Sequence, residues 1–239
     1  MDGNTPLDEV GVAGNDKPMA KLRVHNISIS VDGYAAGLNQ TRERPFGDVD
    51  VPGPGMHDWM FATRFGREMR GQPDGTEGID NDFAAAGSVN IGATIMGRNM
   101  FGPIRGEWTG DWRGWWGDTP PYHHPVFVLT HHAHEPITMS GGTTFHFVTG
   151  GIEAALEKAV EAANGTDVRI GGGASTIQQY LRAGLVDEMH VVIVPILLGA
   201  GERLFDNLDG VMVGYECVEL VASTGVVHVR IVRSSTGGG

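Results

Sequence analysis

Apolar and polar positions alternate from Leu22 to Val31, where Ile27, Ile29 and Val31 interleave with Ser28 and Ser30. That period of two predicts a strand. Shorter, nearly continuous apolar runs follow at Ala93–Met96, Val126–Thr130, Thr144–Val148 and around Val168 and Ile170, and a longer one spans Glu188–Leu198. Runs of this kind predict strands covered on both faces. Two β-branched stretches, about Tyr215–Ala222 and Val226–Arg233, are joined by Ser223-Thr224-Gly225 as a hairpin. Helical patterns separate the strands. One spans Met56–Met69, with Asp58 in its first turn, and a short one begins at a cap on Asn81 or Asp82 and ends at Ala86. Another covers Ile152–Ala163, with Glu153 in its first turn and Asn164-Gly165 as its stop, and the last includes Gln178–Leu181 and ends at Gly184.

Eight strands interleaved with helices predict an α/β fold built on a mixed, mostly parallel sheet. Right-handed crossovers would place helices on both faces, and the C-terminal hairpin would run antiparallel. No linker divides the pattern, so residues 21–233 are expected to form one domain. Residues 1–20 and 234–239 have no apolar period and are expected to be flexible tails.

The 239 residues suffice for a sizeable core, and 41% hydrophobic with 19% charged residues is ordinary for a globular chain. The formal net charge of -12, without a Lys/Arg cluster, argues against nucleic acid or an anionic membrane as partner. No apolar run reaches the ~18 residues of a membrane span, and no signal core follows the start, so a cytoplasmic location is expected. A single cysteine, Cys217, excludes an intrachain disulfide and a cysteine-based zinc site. Its place in an alternating stretch makes it a small core residue by expectation. His131, His132 and His134 sit too close to Pro136 to share a helical face, so no metal site is expected.

The chemistry concentrates where strands end in glycine. Asp167–Ile170 leads into Gly171-Gly172-Gly173 and then into a helix beginning near Ala174. Glycine lets the backbone approach a phosphate closely, and the first helical turn points free N–H groups outward, so the unit suits an anion. A tight turn without ligand is the plainer alternative. Gly97-Arg98-Asn99 repeats this strand–glycine–helix logic and adds a permanent guanidinium charge. Thr130 and His131 end another strand, and Asp32–Gly37 forms a small-residue loop at the end of the first. Four of the five tryptophans (Trp108, Trp112, Trp115 and Trp116) fall in Gly102–Pro125. That segment is either a self-packed cover over the sheet edge or an aromatic wall over a planar substrate.

Together, Ile29–Tyr34, Ile95–Asn99, Val128–Thr130, Ile170–Gly173, Leu185–Glu188 and Val194–Gly199 resemble the dihydrofolate-reductase-like superfamily. They are most similar to the reductase domain of the bacterial riboflavin-pathway deaminase-reductase, the RibD C-terminal family. The resemblance spans about Leu22–Arg233. It implies a three-layer α/β/α fold and NADPH-dependent hydride transfer to a planar heterocyclic small molecule, such as a pterin or a riboflavin-precursor pyrimidine. It implies that Gly97, Arg98 and Asn99 hold phosphate oxygens. Ile170, Gly171, Gly172, Gly173, Ala174 and Thr176 would hold the pyrophosphate, through a strained or cis Gly171–Gly172 peptide. Thr130 and His131 would lie at the adenosine ribose, and Ser30, Gly33 and Ala36 would border the nicotinamide. Asp58 is the nearest equivalent of the carboxylate that dihydrofolate reductases carry on their first helix, and the helix dipole explains it equally well. A non-catalytic NADP(H)-binding sensor, or a reductase using a flavin or deazaflavin, remains an alternative. A homodimer is expected, paired through Met189–Leu198 and Gly199–Phe205.

Overall fold

The computed structural model describes residues 20–48 and 55–234. The expected tails, residues 1–20 and 234–239, fall almost wholly outside that range, as do residues 49–54 of the loop before Met56.

Strand β1 (Leu22–Ser30) is interrupted by a register shift between Val24 and Ile27, where Asn26 adopts φ +60°. A bulge of this kind changes which side chains face which layer. Leu22, Val24 and Ile29 pack into one core, while Ser28 accepts a hydrogen bond from Trp59 on the opposite face. Strands β3 (Ile91–Gly97), β4 (Pro125–Leu129), β6 (Thr144–Val148), β7 (Asp167–Gly172) and β8 (Glu188–Val194) run parallel to β1. Strands β5 (Ile137–Thr138), β10 (Tyr215–Ala222) and β11 (Val227–Arg233) are antiparallel to their neighbours. The order is β10-β11-β8-β1-β7-β3-β4-β6-β5. A separate ribbon pairs β2 (Tyr34–Ala36) with β9 (Glu202–Arg203).

Helices α5 (Gly151–Ala163) and α6 (Ala174–Arg182) cover one face, burying Ala155, Ala159, Ile177 and Leu181 against Ile95, Val168 and Ile170. Each fully buried Ile or Leu contributes about 1.5–3 kcal/mol relative to exposure. The Tyr180 hydroxyl donates to the Ile152 carbonyl at 2.8 Å, tying α6 to α5. The opposite face carries α1 (Asp58–Phe61), α2 (Arg64–Glu68) and α3 (Ile79–Ala86), with Trp59 and Ala84 over Val192 and Val194. The short α4 (Arg98–Phe101) follows β3 directly.

All eight expected strands form, and the C-terminal hairpin pairs as expected. The main sheet has nine strands rather than eight among the described residues, because two-residue β5 pairs with β6. The single helix expected over Met56–Met69 is two short ones. Between them Arg64 donates to the Thr76 carbonyl and Thr76 donates to that of Ala62, so this stretch pairs sideways instead of along a helix axis. Thr63 then caps α2 by accepting from Gly66. Helix α3 begins at Ile79; Asn81 does not cap it but accepts from the Phe65 amide at 2.9 Å. Strand β8 lies between β11 and β1, so it has no free edge with which to pair a second copy. Cys217 is exposed rather than buried, because β10 is an edge strand.

Candidate functional site

Parallel pairing aligns the carboxyl ends of β1, β7, β3 and β4. Met96 stands opposite Gly172, and Gly97 opposite Leu129. The two strand–glycine–helix junctions, far apart in sequence, therefore meet. A Cβ at Gly97 would collide with Thr176 Oγ1 and stand 3.7 Å from the Gly173 nitrogen. Gly172 adopts φ +124°, a region that only glycine enters freely. The cis peptide is Gly172–Gly173, one residue later than the Gly171–Gly172 bond expected from the sequence. Helix α6 starts at Ala174, with Thr176 and Ile177 both donating to the Gly173 carbonyl. The Ile170 side chain is wholly buried in the core, so it faces the junction only through its backbone.

Arg98 leaves this junction and lies over Trp108, 3.8 Å from the ring centre. Its Nη1 donates weakly to Thr130 Oγ1 at 3.5 Å, while buried Nε and Nη2 have no partner. Burial and neighbouring Arg105 push the guanidinium below its ordinary range. An unpaired guanidinium pays desolvation without return, which an anion would reverse. Asn99 is half-buried beside it. Thr130 is buried and accepts from the His132 amide, whereas His131 is exposed.

At the end of β1 the Ser30 hydroxyl donates to Asp32 and accepts from the Tyr34 amide. Asp32 also accepts from the Leu198 and Gly199 amides, and these bonds, led by Ser30, pull its carboxyl down to about 2. The result pins the Gly33–Ala36 loop, where Gly33 turns at φ +88°, to the chain after β8. Ala36 pairs with Glu202.

Glu202 and Arg105 escaped the sequence reading. A Cβ at Gly173 would lie 3.8 Å from Glu202 Oε2, so this carboxylate faces the glycine turn. Burial raises its pKa against the pull of Arg105. Only its place in Gly199-Ala200-Gly201-Glu202, directly after an apolar strand, signals it.

The tryptophan segment packs on itself and on the sheet. Trp108 stands edge-on to Phe101 and Phe147, Trp112 donates to the Phe101 carbonyl, and Trp116 stacks near Phe145. It is a cover that also carries the platform under Arg98.

On the α1–α3 face a cavity of about 800 Å³ is walled by Trp59, Thr76, Glu77, Asp80, Val194 and the Ser223–Val226 turn. Val194 is in register with Ser30, so the cavity reaches the carboxyl end of β1. Asp58 does not line it. That carboxylate is exposed and accepts from the Gly55 amide at 2.8 Å, closing its own loop. Among the described residues no group of three His, Cys, Asp or Glu could hold a metal, and no helix is long and apolar enough to cross a membrane.

A mixed, mostly parallel sheet with glycine junctions at its carboxyl edge and an antiparallel C-terminal pair defines a dihydrofolate-reductase-like α/β protein. Within that class the chain belongs to the RibD C-terminal domain family, whose sequence model matches residues 23–229. A putative riboflavin biosynthesis protein from Shewanella sp. PV-4 is similar in fold, with TM-score 0.57 and 23% identity over 90% of this chain and 99% of that one. RibD from Acinetobacter baumannii gives TM-score 0.51 at 15% identity, covering 91% of this chain, which spans 59% of that protein. A pyrimidine reductase-like protein from Corynebacterium diphtheriae gives 0.50 at 15% identity, over 90% and 92% of the two chains. No curated protein matches the chain.

Proposed function

We propose that this protein is an NADPH-dependent reductase of a planar, amino-bearing heterocycle of the pterin or pyrimidine kind. The observation that carries the reading is Arg98: a guanidinium with two buried, unpartnered nitrogens, fixed on Trp108 beside the Gly97–Thr176–Gly173 contact. Such a site fits the phosphates of a dinucleotide, and RibD C-terminal family membership supports the same cofactor. Gly97, Arg98, Asn99 and Gly171–Ala174 with Thr176 would hold the phosphates, and Thr130 the adenosine side. Ser30, Gly33 and Ala36 would border the nicotinamide. When bound, the cofactor supplies a hydride.

The chain's own residues do the rest. The Asp32 bonds hold the β1 turn rigid, and the 800 Å³ cavity walled by Val194, the register partner of Ser30, receives the acceptor ring. Its Trp59 wall suits a flat ring, and the Glu77 and Asp80 carboxylates suit amino or ring N–H donors. The protein is expected to act as a homodimer in the cytoplasm. The primary test is titration with NADPH while following tryptophan fluorescence. Trp108 lies directly beneath Arg98, so binding should change its emission; no response and no calorimetric heat with NADPH or NADH would defeat the proposal.

A further inference from the structure

A chain of buried polar side chains crosses the face that holds the cavity. Asp80 Oδ1 is 2.8 Å from His228 Nε2, His228 Nδ1 is 3.0 Å from His190 Nε2, and His190 Nδ1 is 2.9 Å from Asn26 Oδ1. His228 is wholly buried, His190 is 1% exposed, and the Asp80 side chain keeps 29% of its surface toward the cavity.

Counting hydrogens along this chain fixes its protonation. Asn26 Nδ2 faces the Ala84 carbonyl at 3.0 Å, and a carbonyl can only accept. Nδ2 therefore donates there, leaving Oδ1 as the acceptor toward His190. His190 Nδ1 must then carry hydrogen. His190 is neutral, because burial and then the neighbouring His25 and His228 hold its pKa down to about 3. Its Nε2 is thus a bare acceptor, which His228 Nδ1 must meet with a hydrogen. A neutral His228 would then turn the bare lone pair of its Nε2 toward the Asp80 carboxylate, an arrangement of two acceptors at 2.8 Å. One more hydrogen has to lie between them. Phe83 lies face to face with both His228, ring centres 4.3 Å apart and 8° from parallel, and His190, 4.8 Å and 15°, so it packs the pair without selecting which ring carries charge.

We propose that Asp80 and His228 share one extra proton at neutral pH and that Asp80, on the cavity wall, hands it to the acceptor during reduction. This rests on the reductase reading given above. As hydride adds to the carbon of an acceptor C=N bond, the π electrons move to nitrogen, and that nitrogen takes the proton from the pair. The pair is left as Asp80 carboxylate and neutral His228, and it is recharged by one proton taken up from solvent, to which Asp80 is open along the cavity wall. Asp80 is then a catalytic residue, while His228, His190 and Asn26 position it. The charged and titratable groups around the pair are Glu77 on the cavity wall and, near His190, Arg230 of β11, Glu188 of β8 and His25 of β1.

The test uses the full chain with ¹⁵N-labelled histidine and ¹³C-labelled aspartate, at pH 8 without ligand. The expected spectrum contains one histidine protonated on both nitrogens or one protonated aspartate carboxyl. Either signal should vanish in Asp80→Asn, whose amide can donate to His228 and preserve the fold. Neutral histidines together with fully ionised aspartates in the wild type would overturn the proposal. In the second arm, Asp80→Asn should bind NADPH as the wild type does. With 7,8-dihydrofolate or an aminopyrimidinone as acceptor, it should lose about 100-fold or more in kcat and lose the fall in rate at high pH. A wild-type rate and pH profile in Asp80→Asn would also overturn it. Absence of NADPH binding in both proteins would instead defeat the reductase reading and the delivery step, while the spectrum still decides the shared proton.

Discussion

The guanidinium of Arg98 rests 3.8 Å above the centre of the Trp108 ring, held there by a loop that packs across the end of the sheet. The ring fixes the direction of the cation while leaving Nε and Nη2 unpaired. Arg98→Gln should therefore leave the thermal midpoint near the wild-type value and weaken NADPH. A charged hydrogen bond is worth about 1.5–3 kcal/mol, or roughly 10- to 100-fold in affinity. Calorimetric titration of both proteins measures it, and unchanged affinity would remove Arg98 from the site.

Gly97 and Thr176 make the contact that brings the two junctions together. Gly97→Ala drives a methyl into Thr176 Oγ1 and should cost about 1–3 kcal/mol of stability, as overpacking does. Thr176→Ala removes the oxygen and should recover much of the loss, giving a coupling well above additivity. Urea midpoints of the two single variants and the double variant give that coupling.

Glu202 faces the glycine turn with a pKa raised by burial. It is neutral at low pH and charged as pH rises through its ionisation, so NADPH affinity should fall over that rise. Glu202→Gln should bind more tightly at pH 8, by about 1 kcal/mol or roughly fivefold, and flatten the pH dependence. Arg105 and Arg98 stay charged throughout and do not contribute to the slope. A pH series of NADPH titrations distinguishes the outcomes.

His190 is neutral in the folded protein, its pKa lowered to about 3 by burial, whereas in the unfolded chain the reference is about 6.5. Between those values the unfolded chain binds the extra proton. The contribution of His190 should therefore be fully present above about pH 6.5 and decline as pH falls toward 3, with a slope of up to about 1.4 kcal/mol per pH unit for one histidine. Glu188, held at about 2 chiefly by its hydrogen bond with His25, adds a loss of the same sign at the acid end. Urea unfolding from pH 6 to pH 4, below the range in which the proton shared by Asp80 and His228 changes the balance, checks the sign; stability rising on acidification within that window would contradict it.

Much of the scaffold was legible in the chain because strand and helix periods are local. Thr144–Val148 and Tyr215–Ala222 form where their patterns put them. The two short glycine-containing junctions announced themselves by composition. The split of the Met56–Met69 helix did not, since it depends on Thr76, distant in sequence, capturing the backbone of Ala62 and Arg64. Strands β2 and β9 are only two or three residues long and lack any period of their own.

Local order alone determined the eight longer strands, the helices after β6 and β7, and the glycines that suit an anion, because apolar spacing and backbone freedom act within a few residues. Tertiary structure decided which distant groups share a space. It put Glu202 against Gly173, placed β8 inside the sheet instead of at its edge, and turned Asn26 inward at a bulge to set the hydrogens of His190 and His228. Such relations follow from strand order and register, which the packing of both sheet faces selects and no short stretch of sequence encodes.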